Sequence, residues 1–133
     1  MSAPSTPAAT DRGQAVAQEA LKHLGVKYVY GGTTPAGWDC SGLVQYVYKQ
    51  ATGITLPRST VQQSLVGTPV RADQIRAGDI VFFVDTAGPG ISHDGIALGD
   101  GRFVHAASER SGTIISNLND IYWSTHFAGA RRP

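Results

Sequence analysis

Cysteine is almost absent from this chain. A single thiol, Cys40, excludes an internal disulfide and any zinc site built from several thiolates. Charge is scarce too: charged residues make up 16% and the formal net charge is +1. Nothing in that balance points to nucleic acid or to a strongly acidic partner. Long apolar runs are also lacking. The longest, IVFFV at 80–84, is strand-sized, which excludes a membrane-spanning helix. The N-terminus has no basic segment leading into an apolar stretch, so MSAPSTPAATDRG is not a signal peptide. Its Pro, Ala, Ser and Thr read as a disordered lead or linker over residues 1–12. If the protein works outside the cytoplasm, its export signal has been trimmed or it arrives by another route.

What remains, residues 13–133, is long enough for one domain with a real core, and 41% of the chain is hydrophobic. From Asp11 to Leu24 the apolar residues Val16, Ala17, Ala20, Leu21 and Leu24 recur at helical spacing, and Gly25 stops the run. VKYVYGG (26–32) is a short extended segment and TTPAGWD is loop. From Cys40, the residues Leu43, Val44, Val47, Tyr48 and Ala51 mark one helical face that ends at Gly53. A short helix from Thr60 to about Leu65 takes Ser59 as its cap. Strand-like segments then follow: 80–84, 94–99, 102–107, 113–118 and 127–131, with turns at 99–101 and 108–112. Helices first and strands afterwards predict an α+β fold with an antiparallel sheet.

Cys40 lies between Asp39 and Ser41, at the expected start of a helix. A helix N-terminus favours negative charge and so favours a thiolate, the form in which cysteine attacks. Gly42 leaves room for a substrate to approach the backbone, and the N–H of Cys40 or Ser41 is positioned as an oxyanion donor. The bland reading is a small buried hydrophobe; the polar neighbours argue against it.

Four histidines are candidates for a base. His23 falls on the first helix and is expected to face solvent, and His126 is a surface or packing residue. His93 and His105 each belong to a strand, and the tight turn between those strands suggests a hairpin that brings them together. His105 held against His93 would satisfy both rings and fix the tautomer of the base. Separate structural roles for the two remain an open alternative. A metal site is thinly supported, with two histidines, one cysteine and Asp94 on the face opposite His93.

The segments GVKYVYGGTTPAGWDCSGLVQYVY, LPRST, RAGDIVFF, SHDGIALGDGRFVHAAS and YWSTHFAGARR occur in this order, within a stretch of resemblance running from about Gly13 to Arg132. Together they resemble the NlpC/p60 family of papain-like cell-wall cysteine peptidases. The resemblance implies a papain-like fold, with N-terminal helices packed on a small antiparallel sheet and the catalytic cysteine at a helix N-terminus. It implies Cys40 as nucleophile, His93 as general base and His105 as the residue that orients it. Tyr28 matches a tyrosine near the oxyanion site, Asp39 and Ser41 match positions that bind the free end of the stem peptide, and Arg58 and Ser59 shape the cleft rim.

The reaction so implied is cleavage of the peptidoglycan stem peptide between γ-D-glutamate and meso-diaminopimelate or lysine, without cofactor or metal. A cell-wall amidase of the same fold and a non-catalytic peptidoglycan-binding module are the alternatives. The expected setting is the periplasm or cell wall, as a monomer. An inhibitor or immunity protein enters if the chain is a toxin-like hydrolase delivered into rival cells. One residue departs from the pattern: Asp94 stands after His93 where relatives carry an aliphatic side chain. On a strand it is expected to point away from the triad.

Overall fold

The structure, a computed structural model, describes residues 9–133. Helix α1 (Ala9–Leu21) begins four residues inside the expected lead, so residues 9–12 are helix; the rest of the lead lies outside the described residues. A two-residue hairpin, β1 (Thr33–Thr34) and β2 (Gly37–Trp38), stands where loop was expected. Helix α2 runs over Cys40–Thr52, and Gly53 closes it at φ 79°, where a glycine is favoured. Helix α3 is a single turn, Thr60–Gln63, capped by the Ser59 hydroxyl on the Gln62 amide.

Strands β3 (Thr68–Val70), β4 (Ile80–Val84), β5 (Ile91–Ala97), β6 (Arg102–Ser108), β7 (Gly112–Asn117) and β8 (Phe127–Arg132) form one antiparallel sheet in the order β3-β8-β4-β5-β6-β7. A short helix α4 (Ile121–His126) leads into β8. β3 and α4 were not foreseen. TPV is too short to show a period, and IYWSTH lacks an apolar repeat.

Strand alternation sorts the core onto two faces. Ile80, Phe82, Ile96 and Val104 face α1 and α2, where they pack with Val16, Ala20, Leu43, Val44 and Val47. Val81, Phe83, Ala97 and Phe103 face the other way, against Phe127 and Trp123 of α4. Covering both faces explains why the central strand β4 reads as an unbroken apolar run.

The loop before α2 is pinned in two ways. Trp38, wholly buried, donates its indole N–H to Thr113 of β7 at 2.9 Å. Gly42 has the Gly32 carbonyl packed against it so closely that a Cβ would collide with that oxygen. The room expected there for a substrate is therefore filled by the chain itself. Trp38→Phe should keep most of the apolar contact yet strand the buried Thr113 hydroxyl, at a cost of about 1–3 kcal/mol. Urea unfolding of the variant measures that loss.

Candidate active site

The sequence begins α2 at Cys40 because Asp39 caps it. The Asp39 side chain accepts from the Gly42 amide at 2.8 Å and from the Gly31 amide at 3.0 Å. It also pairs with Arg58 at 2.9 Å, and Arg58 in turn donates to the Ser41 hydroxyl at 2.8 Å. Burial alone would raise the Asp39 pKa, but the guanidinium and the two amides hold it below the usual carboxylate range. Because the cap takes the Gly42 amide, the amides of Cys40 and Ser41 stay available at the helix start. Asp39, Ser41 and Arg58 thus gather beside Cys40. Ser59 does not join them, since its hydroxyl is engaged at the head of α3.

Cys40 is 9% exposed, and its sulfur hydrogen-bonds the Thr60 hydroxyl at 3.5 Å. The helix start was expected to favour the thiolate. Instead burial, and after it repulsion from the Asp94 carboxyl whenever that group ionises, push the thiol pKa up, while Thr60 and the Asp94 amide pull against them. Tyr28 is brought in by its bridge to Trp38. Its phenol pKa is raised first by burial and then by Cys40.

The two histidines meet as expected. His93 Nε2 and His105 Nδ1 are 2.7 Å apart, and His105 Nε2 lies 2.8 Å from the Ser116 hydroxyl. Trp123 stacks on His93 with ring centroids 5.4 Å apart. Gly95 permits this closeness, because a Cβ there would sit 3.0 Å from that of His105. Burial holds both imidazoles neutral, lowering His93 to about 4 and His105, with some help from His93, to about 3. With Nε2 committed to His105, the Nδ1 edge of His93 is left for a proton arriving from elsewhere.

The β5–β6 ladder joins only Ile96 to Val104 and Ala97 to Phe103. The first half of β5 is thereby unpaired on that side, and Cys40 docks there, within hydrogen-bond reach of the Asp94 amide. Among the described residues no hydrogen bond yet joins the sulfur to His93; such contacts commonly tighten only when substrate is bound. The arrangement can carry a thiol proton to an imidazole whose far nitrogen is fixed, next to free helix N–H groups, which is the chemistry of acyl transfer.

Three side chains escaped the sequence reading: Thr60, Ser116 and Trp123. A fourth, Asp94, was misplaced. It does point away from His93, but that is the face α2 occupies, so its carboxyl lies beside Cys40 instead of away from the site. His23 was also expected in solvent. It is half-buried, bonded to Glu19 at 2.8 Å, with its ring edge on Trp38. Nor do three or more metal-ligating side chains gather anywhere among the described residues.

Proton linkage makes the buried site visible in stability. Unfolded, the imidazoles take up protons below about 6.5; folded, they resist down to about 4 and 3. Stability therefore falls as pH drops from the unfolded value toward 4. Asp94 acts oppositely: unfolded it ionises above about 3.9, while folded it keeps its proton well beyond that. Its contribution is lost as pH rises, and near pH 5 the two histidines outweigh it by one proton. Urea titrations should give a maximum near pH ~6.5, with about 1–2 kcal/mol lost at pH ~5. A flat profile would contradict the neutral pair.

The NlpC/P60 family pattern matches residues 25–132. The chain is 52% identical over 118 residues to the Bacillus subtilis gamma-DL-glutamyl hydrolase, covering 88% of this chain and 28% of that protein. It is 44% identical over 108 residues to the Escherichia coli murein DD-endopeptidase MepS/murein LD-carboxypeptidase, covering 81% and 56%. A crystal structure of an NlpC/P60 family protein from Bacillus cereus superimposes with a TM-score of 0.83 at 34% identity, over 96% of this chain and 40% of that one. The chain thus spans between about a quarter and somewhat over half of these relatives' lengths. On the match of pattern, sequence and α+β papain-like architecture, it belongs to the NlpC/P60 family.

Proposed function

We propose that this chain is a cysteine endopeptidase that hydrolyses the stem peptide of peptidoglycan at the γ-D-glutamyl–diamino acid bond. The observation that carries the reading is Cys40 at the capped start of α2, docked on β5 beside the linked His93, His105 and Ser116. One relative is named a murein DD-endopeptidase and murein LD-carboxypeptidase, which supports the substrate class, and the other a gamma-DL-glutamyl hydrolase, which supports a glutamyl bond. Such a substrate sets the place of action in the periplasm or cell wall. The domain acts there as a monomer, and an inhibitor or immunity protein would act by covering this cleft.

In the mechanism the Cys40 proton passes to His93 Nδ1 as sulfur attacks the γ-carbonyl of D-glutamate. Burial disfavours either charge alone, so thiolate and imidazolium form together. The carbonyl oxygen takes up charge toward the Cys40 and Ser41 amides, with the Tyr28 phenol near by. His105 holds the base, and its own far nitrogen is held by Ser116. Collapse of the intermediate breaks the C–N bond, and the imidazolium returns its proton to the leaving amine. Water activated by His93 then cleaves the thioester. At the rim, Asp39 and Ser41 present a carboxylate and a hydroxyl to the free amino end of the stem, and Arg58, which donates to both, holds them in place.

Digestion of purified muropeptides, resolved by chromatography and mass, tests the reading. Wild type should release L-Ala-γ-D-Glu from tri- and tetrapeptide stems. Cys40→Ala should release none while remaining folded. His93→Ala should lose about 10²–10⁴-fold in rate, and His105→Ala distinctly less, since it takes no proton. Intact stems from well-folded wild type, or release of a different fragment, would count against the assigned bond.

A further inference from the structure

Asp94 is the one buried acidic group near the site that the mechanism above leaves unused. It has 0% exposure, and neither carboxyl oxygen has a hydrogen-bond partner. Its register opposite Phe82 directs it to the α2 face of the sheet. There the side chain comes within reach of the Cys40 sulfur, although no well-aligned bond forms in the resting state.

The charges around it do not compensate it. From the start of α2 come Cys40 itself and the Asp39 carboxylate, and from the segment before α3 comes the Arg58 guanidinium. Arg58 is already bonded to Asp39, so the two largely cancel. Thr60, on α3, adds only a hydroxyl. The neighbours on this face from β4 and β6 are Phe82, Val104 and Ala106, and those from α1 are Val16 and Ala20, all apolar. His93 and His105 turn to the opposite face, where burial keeps them neutral. A carboxyl enclosed in this way keeps its proton well above the ordinary range. Its O–H is then a donor without an acceptor, within reach of the atom that must become negative.

We propose that Asp94 is a positioning residue that gates the nucleophile: Asp94 and Cys40 share a buried site able to hold one negative charge, so the Cys40 thiolate forms only while Asp94 keeps its proton. Neutral, Asp94 donates its O–H to the thiolate as the Cys40 proton moves to His93. Ionised, it accepts the thiol S–H and holds that proton on sulfur, and the enzyme is closed. Two anions in contact inside an apolar face repel too strongly to coexist. The inference rests on Cys40 as the nucleophile. It confers an alkaline limit on activity that an aliphatic residue at this position would not.

The chain's single cysteine makes the test unambiguous. Iodoacetamide alkylation of wild type, Asp94→Asn and Asp94→Val is followed by mass from pH ~5 to ~12, far enough for reactivity to level off in the variants while it still rises in wild type. The midpoint of reactivity should fall by at least one pH unit in both variants, equal to about tenfold faster alkylation below the wild-type midpoint. On muropeptides, the alkaline fall in kcat should move upward in Asp94→Asn. Equal midpoints in wild type and a folded variant would overturn the gate, as would faster alkylation by the same factor at every pH, which signals mere loosening. If Asp94→Asn does not fold, Asp94→Val decides by the same criterion. A shifted midpoint in protein that cuts no stem peptide would leave the gate standing and sink the proposed function. Stem cleavage without a shift would do the reverse.

Discussion

A single carboxylate holds the front of this molecule together. Asp39 caps α2 through the Gly42 amide, ties down the Gly31 amide of the preceding loop, and anchors Arg58 from the segment leading into α3. These contacts fix where the helix begins, and so which residue occupies its first turn. Shift that start by one residue and Cys40 rotates by about 100° away from β5. The pairing of Arg58 with both Asp39 and Ser41 gathers these polar groups beside Cys40, so that under the proposed function anchoring and recognition would draw on the same groups.

Behind that front the site is dry, and dryness decides its electrostatics. Cys40, His93, His105 and Asp94 are all buried, and burial is the largest influence on each. The resting site is accordingly neutral throughout: thiol, imidazole and protonated carboxyl. Charge appears only in pairs or one at a time, through proton transfer between neighbours. A neutral resting thiol is also less exposed to adventitious oxidation than a standing thiolate.

Much of this was legible in the chain. The bounds of α2 followed from the 43-44-47-48-51 face and Gly53, and β4 from IVFFV; that Asp39 caps the helix emerged only in the structure. The meeting of His93 and His105 followed from two strand segments around a tight turn. Ser116 could not be found in this way. A bulge between Ala106 and Ser108 shifts the β6–β7 register by one residue, and without it Ser116 would pair opposite Val104 on the other face. Asp94 shows a different limit. Strand alternation gave its direction correctly, but which face α2 would cover is a matter of topology, carried by no single segment. Thr60 reaches Cys40 across twenty residues for the same reason.

The central claim is that Cys40 takes the γ-glutamyl group onto its sulfur. Acid-quenching wild-type enzyme during turnover of a tripeptide stem, then mapping its peptides by mass, reads that directly. The account predicts a thioester carrying L-Ala-γ-D-Glu on the peptide that contains Cys40. An unmodified Cys40 under conditions of active turnover, or an adduct ending in the diamino acid or D-alanine, would contradict it.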